Sequence, residues 1–439
     1  MRTAVPPATA SPATRRVRRS SIVALAVAAA LVGVTAIWGS VLNGIGAGIW
    51  MHAAPLFAAW QPRPGIALLG PLAIASVVAW KGPDVAQRLG WTRLLVASFV
   101  AAAAWGICLA VVDPEGLAGL TRGVSSPTDF LADVDRVGAP GPFLDSFTQR
   151  IDDYVVHVRG HPPALMVVLW WMRRIGLGGP APFVGLIVAA GAAAIVAVVV
   201  TLREVVDETT ARRAVPFLVL SPAAIWWVSS ADAVYAGLGA AGVAAIVVAT
   251  GRGALRSDVA AALGGVTLGL GLFFSYGLVL LLLIPIAVSL ARRRTRPLIV
   301  AGVAMLGVGV AFTALGFSWI EGLRVTRGEY ATSVAALRPY AYFLFANIAA
   351  FAIALGPAPI AGIALLRDRR VWLLAGAALA AVLLADVSGL SKGEVERIWL
   401  PFWPWVAVAA TALVARARWW LAAQATVALG VQTLLGTPW

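Results

Sequence analysis

Hydrophobic positions come in long blocks along most of this chain, and short charged or Pro/Gly-rich breaks separate one block from the next. About 20 apolar residues cover a hydrocarbon core, so such blocks predict bilayer-spanning helices. Thirteen can be placed, at 20–38, 65–80, 93–112, 182–202, 214–230, 233–250, 258–274, 276–291, 298–317, 341–366, 371–386, 399–415 and 418–435. Only "FFSYGLV" separates the two blocks at 258–274 and 276–291, each barely long enough to span. The expected fold class is all-α, a polytopic transmembrane protein of about 13 spans. Its parts are a basic N-terminus (1–19), three spans (20–112), a long loop (113–181), and the remaining spans (182–439), with smaller loops at 318–340 and 387–398.

Composition agrees with this pattern. At 60% hydrophobic and 12% charged residues, the chain lacks the polar surface of a soluble globule. Arginines ahead of the first block imitate a signal peptide, but Ser20 to Trp38 is long enough to span and many spans follow, which predicts a retained first helix. The single cysteine, Cys108, excludes an intrachain disulfide and a multi-cysteine metal site.

The net charge of +14 would suggest nucleic acid if it formed one patch, but it follows the loops instead. With thirteen spans and a cytoplasmic N-terminus, 22 of the 34 basic residues and 6 of the 20 acids fall inside, a net of +16 against −2 outside. The inner set includes Arg2, Arg15, Arg16, Arg18 and Arg19 and the loops at 203–213, 252–256, 292–296 and 367–370. That is the positive-inside bias of a plasma-membrane protein, and no nucleic acid is needed to explain it.

Parity also decides the stretch "VRGHPPALMVVLWW" (158–171). Residues 164–172 reach only about 14 Å as a helix, roughly half a bilayer core. Counting them as a span would turn every later basic loop outward, so they are expected to lie along or dip into the outer interface as a juxtamembrane helix, the alternative being a short tilted span with one later span miscounted. All six tyrosines and all three histidines fall on or near that outer side, where the long loop offers most of the polar chemistry.

In the loop, "SSPTDFLADVDRVG" predicts a helix capped by Ser126, with Pro127 at its first position and Asp129 closing a capping box. Asp129 and Asp133 would then share a face, with Asp135 about a third of a turn away. "FLDSFTQRIDDYVVHVR" spaces Phe143, Phe147, Ile151, Val155 and Val158 as an amphipathic helix for the membrane surface. Asp129, Asp133 and Asp135 are candidate catalytic acids, each able to accept a proton from an acceptor hydroxyl, although a solvated loop carboxylate is ordinary. Arg159 and His161 could donate to a phosphate, or simply end a helix near lipid headgroups. Tyr154, Arg324, Arg327 and Tyr330 are candidate substrate contacts, as are Asp232 at a span end and Glu394 and Glu396 in "SKGEVERIWLPFWPW", which also holds Lys392 and Arg397. Glycine strings such as "GVTLGLGL" lie inside apolar blocks, where close helix packing explains them better than nucleotide binding.

Taken together, "TDFLADV", His161-Pro162-Pro163, Arg397 before "IWLPFWPW", and "LSPAAIWWVSSADAVYAGLGA" resemble the GT-C class of integral membrane glycosyltransferases. The nearest branches are the polyprenyl-phosphate-sugar-dependent protein mannosyltransferases and aminoarabinose transferases. The resemblance covers about residues 93 to 415. It implies an extracytoplasmic, inverting sugar transfer from polyprenyl phosphate to an envelope glycan, lipid or protein, with an aspartate as base. Arg159, His161, Lys392 or Arg397 would stabilise the departing phosphate, and the lipid tail would lie near Trp170 and Trp171. No cofactor is specified by these residues, and a divalent cation is compatible with this chemistry. The chain departs from the family in lacking its adjacent Asp-Glu pair, in having two additional spans before the loop, and in having no soluble domain after the last span. The Ala/Gly/Val/Arg-rich composition fits a high-GC, actinobacterial source. Two other function classes compete: a transporter or lipid flippase, which would need broken helices and paired mid-membrane charges, and a catalytically inactive GT-C-like scaffold.

Overall fold

The computed structural model describes residues 12–251 and 254–438. Arg2 and Arg252, counted above with the basic side, lie outside the described residues, as does most of the segment 1–19. The regular structure of the described residues is helical apart from two-residue strands and an isolated bridge. A chain this apolar satisfies its backbone polar groups within helices, as hydrocarbon surroundings require.

Among the described residues, eight helices are long and apolar enough to cross a membrane: Arg19–Gly44, Ile66–Arg88, Trp91–Ala110, Pro180–Val205, Asp232–Ala249, Leu255–Leu272, Arg296–Ala314 and Arg369–Val387. A ninth arises if Tyr340–Leu355 and Pro357–Ile363, bent by 107° at Gly356, count as one span. Gly356 has φ 82°, and Gln424 stitches the break by donating to Leu355 O (2.8 Å) and accepting from Ala358 N (3.1 Å).

Proline accounts for most of the other departures from the thirteen expected blocks. The block at 214–230 is a helix, Glu208–Val219, followed by the turn around Pro222 and Ala224–Trp227. The block at 399–415 becomes two short pieces, Trp403–Ala407 and a tight 3-10 turn at Val408–Ala412. The block at 276–291 opens as a 3-10 segment, Tyr276–Leu282, before Leu283–Ala291. The last block is one helix, Ala417–Leu434, made less apolar by Gln424 and Gln432. Its far end is tied back to the first loop by the antiparallel strands Ala59–Trp60 and Leu435–Gly436.

Glycines let these helices pack closely. A Cβ on Gly191 would lie 2.4 Å from the ring of Trp227, and one on Gly265 would lie 2.2 Å from Ala301 O. The string "GVTLGLGL" is thus a packing surface, as its apolar setting predicts.

Charged residues gather at two ends of the helix set. At one end Arg212 donates to Ala86 O and Leu89 O (both 2.7 Å), Arg292 to Thr250 Oγ1 (2.7 Å), and Arg370 to Val206 O (3.0 Å). At the other end lie the loop 113–181 and the N-terminus of Asp232–Ala249, a helix of 18 residues and thus about 27 Å in length. The basic loops predicted to share a side do share an end.

Two expectations about the long loop are corrected. "SSPTDFLADVDRVG" forms a 3-10 helix, Phe130–Val137, and its N-cap is Asp129 rather than Ser126. With three residues per turn, Asp129 and Asp133 no longer share a face. "FLDSFTQRIDDYVVHVR" is not one surface helix but three short pieces, Pro140–Ser146, Ile151–Asp153 and Val156–Arg159. Phe143, Phe147, Ile151 and Val158 are buried in protein, with Phe147 stacked 5.2 Å from Tyr154 and edge-to-face 5.7 Å from Phe317. Turning the chain at 147–155 lets these side chains converge on one core, which a straight helix could not do. The segment after Pro163 is a separate helix, Ala164–Arg174, of 11 residues.

Candidate functional site

The site is built on Asp129, whose position comes from its capping role: Oδ1 accepts from Phe130 N at 2.8 Å. Its Oδ2 lies 3.1 Å from His157 Nδ1, an electrostatic contact whose angle falls outside a hydrogen bond. His157 sits on the single helical turn Val156–Arg159, and its Nε2 faces Arg397 Nη2 at 3.3 Å. Arg397 in turn donates from Nη1 to Asp232 Oδ2 (2.8 Å) and from Nη2 to Glu394 Oε2 (2.6 Å). Asp232 opens its helix at the loop end and also accepts from Ser230 Oγ at 2.6 Å. One line of contacts therefore runs from the long loop through His157 to residues 394–397.

Three carboxylates and two arginines, Arg397 and Arg338, make up most of the charge of this network. Burial pulls the Arg397 guanidinium down, but Asp232 and Glu394 outweigh it and hold Arg397 above its ordinary value. Burial likewise pushes the Glu394 carboxyl up, and Arg397 and Arg338 more than reverse that. Glu394 has φ 61°, a left-handed conformation that costs a residue with a side chain about 1–2 kcal/mol. Asn347 holds the loop before it by donating to Asp386 Oδ1 (2.9 Å) and Ser391 O (2.7 Å) and accepting from Gly393 N (3.1 Å).

His161, one turn after His157, shares this neighbourhood. It packs 5.5 Å from Phe130 and 5.3 Å from Tyr235, ring to ring, and its Nδ1 lies 2.8 Å from His157 O. Burial holds its imidazole below the ordinary value, against opposite pulls from Asp232 and the His157 carbonyl. Glu396 is buried beside Arg397 and accepts from Phe57 N at 2.9 Å through Oε1, while Oε2 has no hydrogen-bond partner among the described residues. Burial raises its carboxyl to about 7.

The other candidates are engaged elsewhere. Asp133 is buried and accepts from Val155 N (2.6 Å), with Arg136 Nε at 2.8 Å, so it fastens the turn of the loop. Asp135 is exposed and pairs with Arg173. Arg159 meets Glu329 at 3.0 Å, joining the loop to the helix Trp319–Thr332. On that helix Arg324 and Arg327 are exposed, away from the network. The Lys392 ammonium donates to Ala336 O (3.2 Å) and Arg338 O (3.1 Å) and lies 5.9 Å from the ring of Tyr330. Tyr154 is part of the aromatic core of the loop.

His157 was not among the residues the sequence singled out. Its signal is faint: one polar side chain in "YVVHVRG", four residues before His161. Arg338 stands in the same outer segment as Arg324, Arg327 and Tyr330, just before Tyr340 and Tyr342, a weak signal that did not make it a candidate. A cavity of about 340 Å³ opens on another face of the Phe130–Val137 segment, lined by Ser126, Leu131, Met172 and Arg173 among others, but not by Asp129 or His157. Among the described residues, no group of three or more His, Cys, Asp or Glu is placed to hold a metal ion, so the donor set does not favour a resident cation. Comparison of the chain with family models, curated proteins and solved structures found no match.

Proposed function

We propose that this chain is an integral membrane glycosyltransferase of the GT-C kind, crossing the plasma membrane about 13 times, with a cytoplasmic N-terminus. It takes a sugar from a polyprenyl-phosphate donor on the extracytoplasmic side and passes it, with inversion, to an envelope glycan, lipid or protein. The observation that carries this reading is the convergence of three separate stretches. The acid of "TDFLADV", His157 shortly before His161-Pro162-Pro163, and the late arginine form one line of contacts, although His157 and Arg397 are 240 residues apart.

In this mechanism Asp129 accepts the proton of the acceptor hydroxyl as its oxygen attacks the anomeric carbon. The bond from that carbon to the phosphate oxygen breaks, and polyprenyl phosphate leaves with the electron pair. Arg397 is the nearest cation for that developing charge. Its Nη2 becomes available when Glu394 passes to Arg338, already 3.8 Å away.

A second reading has specific support. Both terminal nitrogens of Arg397 are engaged, and the 107° bend at Gly356 is the kind of broken helix used by transporters. In that case the network is a closed structural or gating lock without transferase chemistry. The deciding experiment reconstitutes the purified chain in lipid nanodiscs with radiolabelled polyprenyl-phosphate sugars and envelope acceptor fractions. Transfer that is lost in Asp129→Asn supports the enzyme. Absence of transfer by the wild-type chain from hexosyl and pentosyl donors alike would favour the second reading.

A further inference from the structure

His157 connects Asp129 to the rest of the network, and its two ring nitrogens face opposite partners. Arginine can only donate hydrogen bonds. The nitrogen facing Arg397 Nη2 at 3.3 Å must therefore be the acceptor, a bare Nε2. A neutral imidazole has one N–H, so the proton sits on Nδ1, which faces Asp129 Oδ2 at 3.1 Å. Nδ1 is enclosed and makes no hydrogen bond among the described residues, so the Asp129 carboxylate is its electrostatic partner. The opposite tautomer would turn an N–H toward a guanidinium and a lone pair toward a carboxylate, unfavourable on both sides.

We propose that Arg397 fixes the Nδ1–H tautomer of His157, and that His157 thereby serves as a positioning residue for Asp129. This rests on the glycosyltransferase reading for its catalytic consequence, but not for the tautomer itself. The two anchors on Asp129 come from different directions, Phe130 N on Oδ1 and His157 on Oδ2. Together they restrict rotation of the carboxylate and hold the base toward the acceptor. The second anchor depends on a residue 240 positions further along the chain, so a change at Arg397 reaches the base without touching it.

The test has two arms on the full-length chain in nanodiscs. In the first, ¹⁵N-histidine NMR of the wild-type chain, with His157 assigned by signals lost in His157→Asn, reads the tautomer directly. The expected result is a protonated Nδ1 and an unprotonated Nε2. An Nε2–H tautomer or an imidazolium at neutral pH would overturn the proposal. In the second arm, His157→Asn, whose amide reaches the place of Nδ1, retains transfer within a few-fold, whereas His157→Ala lowers kcat by about 10–100-fold with little change in KM. Equal transfer by His157→Ala and wild type would overturn the positioning role. If the tautomer is as expected but no donor gives transfer, the tautomer inference stands and the glycosyltransferase reading falls.

Discussion

Arginine does different work at the two ends of the helix set. At the basic end, Arg212, Arg292 and Arg370 reach the carbonyls of helix ends and neighbouring turns, at Ala86, Leu89, Glu204 and Val206. Each also has an acidic neighbour, such as Glu208 for Arg212. These are clasps: a basic side chain satisfies orphan carbonyls and complements the negative end of a helix. At the opposite end Arg397, buried with 9% of its side chain exposed, binds Asp232 and His157 from other elements and Glu394 three residues before it. Many arginines thus serve topology and packing, whereas one that gathers acids and a histidine in a buried place marks a candidate site.

The comparison can be broken most forcefully at Arg397 itself. Arg397→Met leaves Asp232 buried without its cation and Glu394 with only the more distant Arg338, and should destabilise the protein by about 3–5 kcal/mol, read as a fall in unfolding temperature, with loss of transfer. Asp129→Asn should instead lower transfer by about 10²–10⁴-fold while the unfolding temperature moves by no more than about 2 °C. Comparable thermal losses in these two variants would contradict the separation of structural and catalytic roles.

Glu396 sharpens the same contrast through pH. With its carboxyl raised to about 7, the folded chain keeps a proton that the unfolded chain releases near 4.5. Its contribution therefore favours folding most below about 4.5 and is lost as pH rises to about 7, by roughly 3 kcal/mol in total. His161, held below its ordinary value, acts the other way, costing stability as pH falls below about 6.5. The difference between wild type and Glu396→Gln, measured by unfolding from pH 4 to 8, isolates the glutamate. Equal pH slopes in the two proteins would remove Glu396 as a titrating group.

At the other end, Arg212→Ala should cost about 1–2 kcal/mol and leave transfer per folded molecule unchanged. The smallest effect is expected for Asp135→Asn: its exposed pair with Arg173 contributes at most about 1 kcal/mol, and both stability and transfer should match wild type.

Hydrophobic blocks located the helices well, because length and apolarity are local properties. They did not show where Pro222, Pro285, Pro401 and Pro404 divide a block into short pieces, although proline is itself a visible warning. The acids of the long loop were visible as a cluster, but their roles were not. Asp133 was assigned to a common face with Asp129 on an α-helical period, whereas the chain adopts a 3-10 turn and Asp133 is drawn to Val155 N. The choice between those conformations depends on a partner 22 residues away, beyond any local pattern. Arg397 and His161 were legible as candidates, while His157 acquires its importance only from the meeting of Asp129 and Arg397.

The Asp232–Arg397 pair also sets a schedule. Its members are 165 residues apart, so at about 5–20 residues per second the arginine is synthesised roughly 8–33 s after the aspartate. Throughout that interval Asp232 stands at the end of an inserted helix without its cation, and the line from Asp129 to Glu394 has no centre. Chains arrested before residue 397 should consequently be more open to proteases and to extraction around 129–161 than chains released just after it.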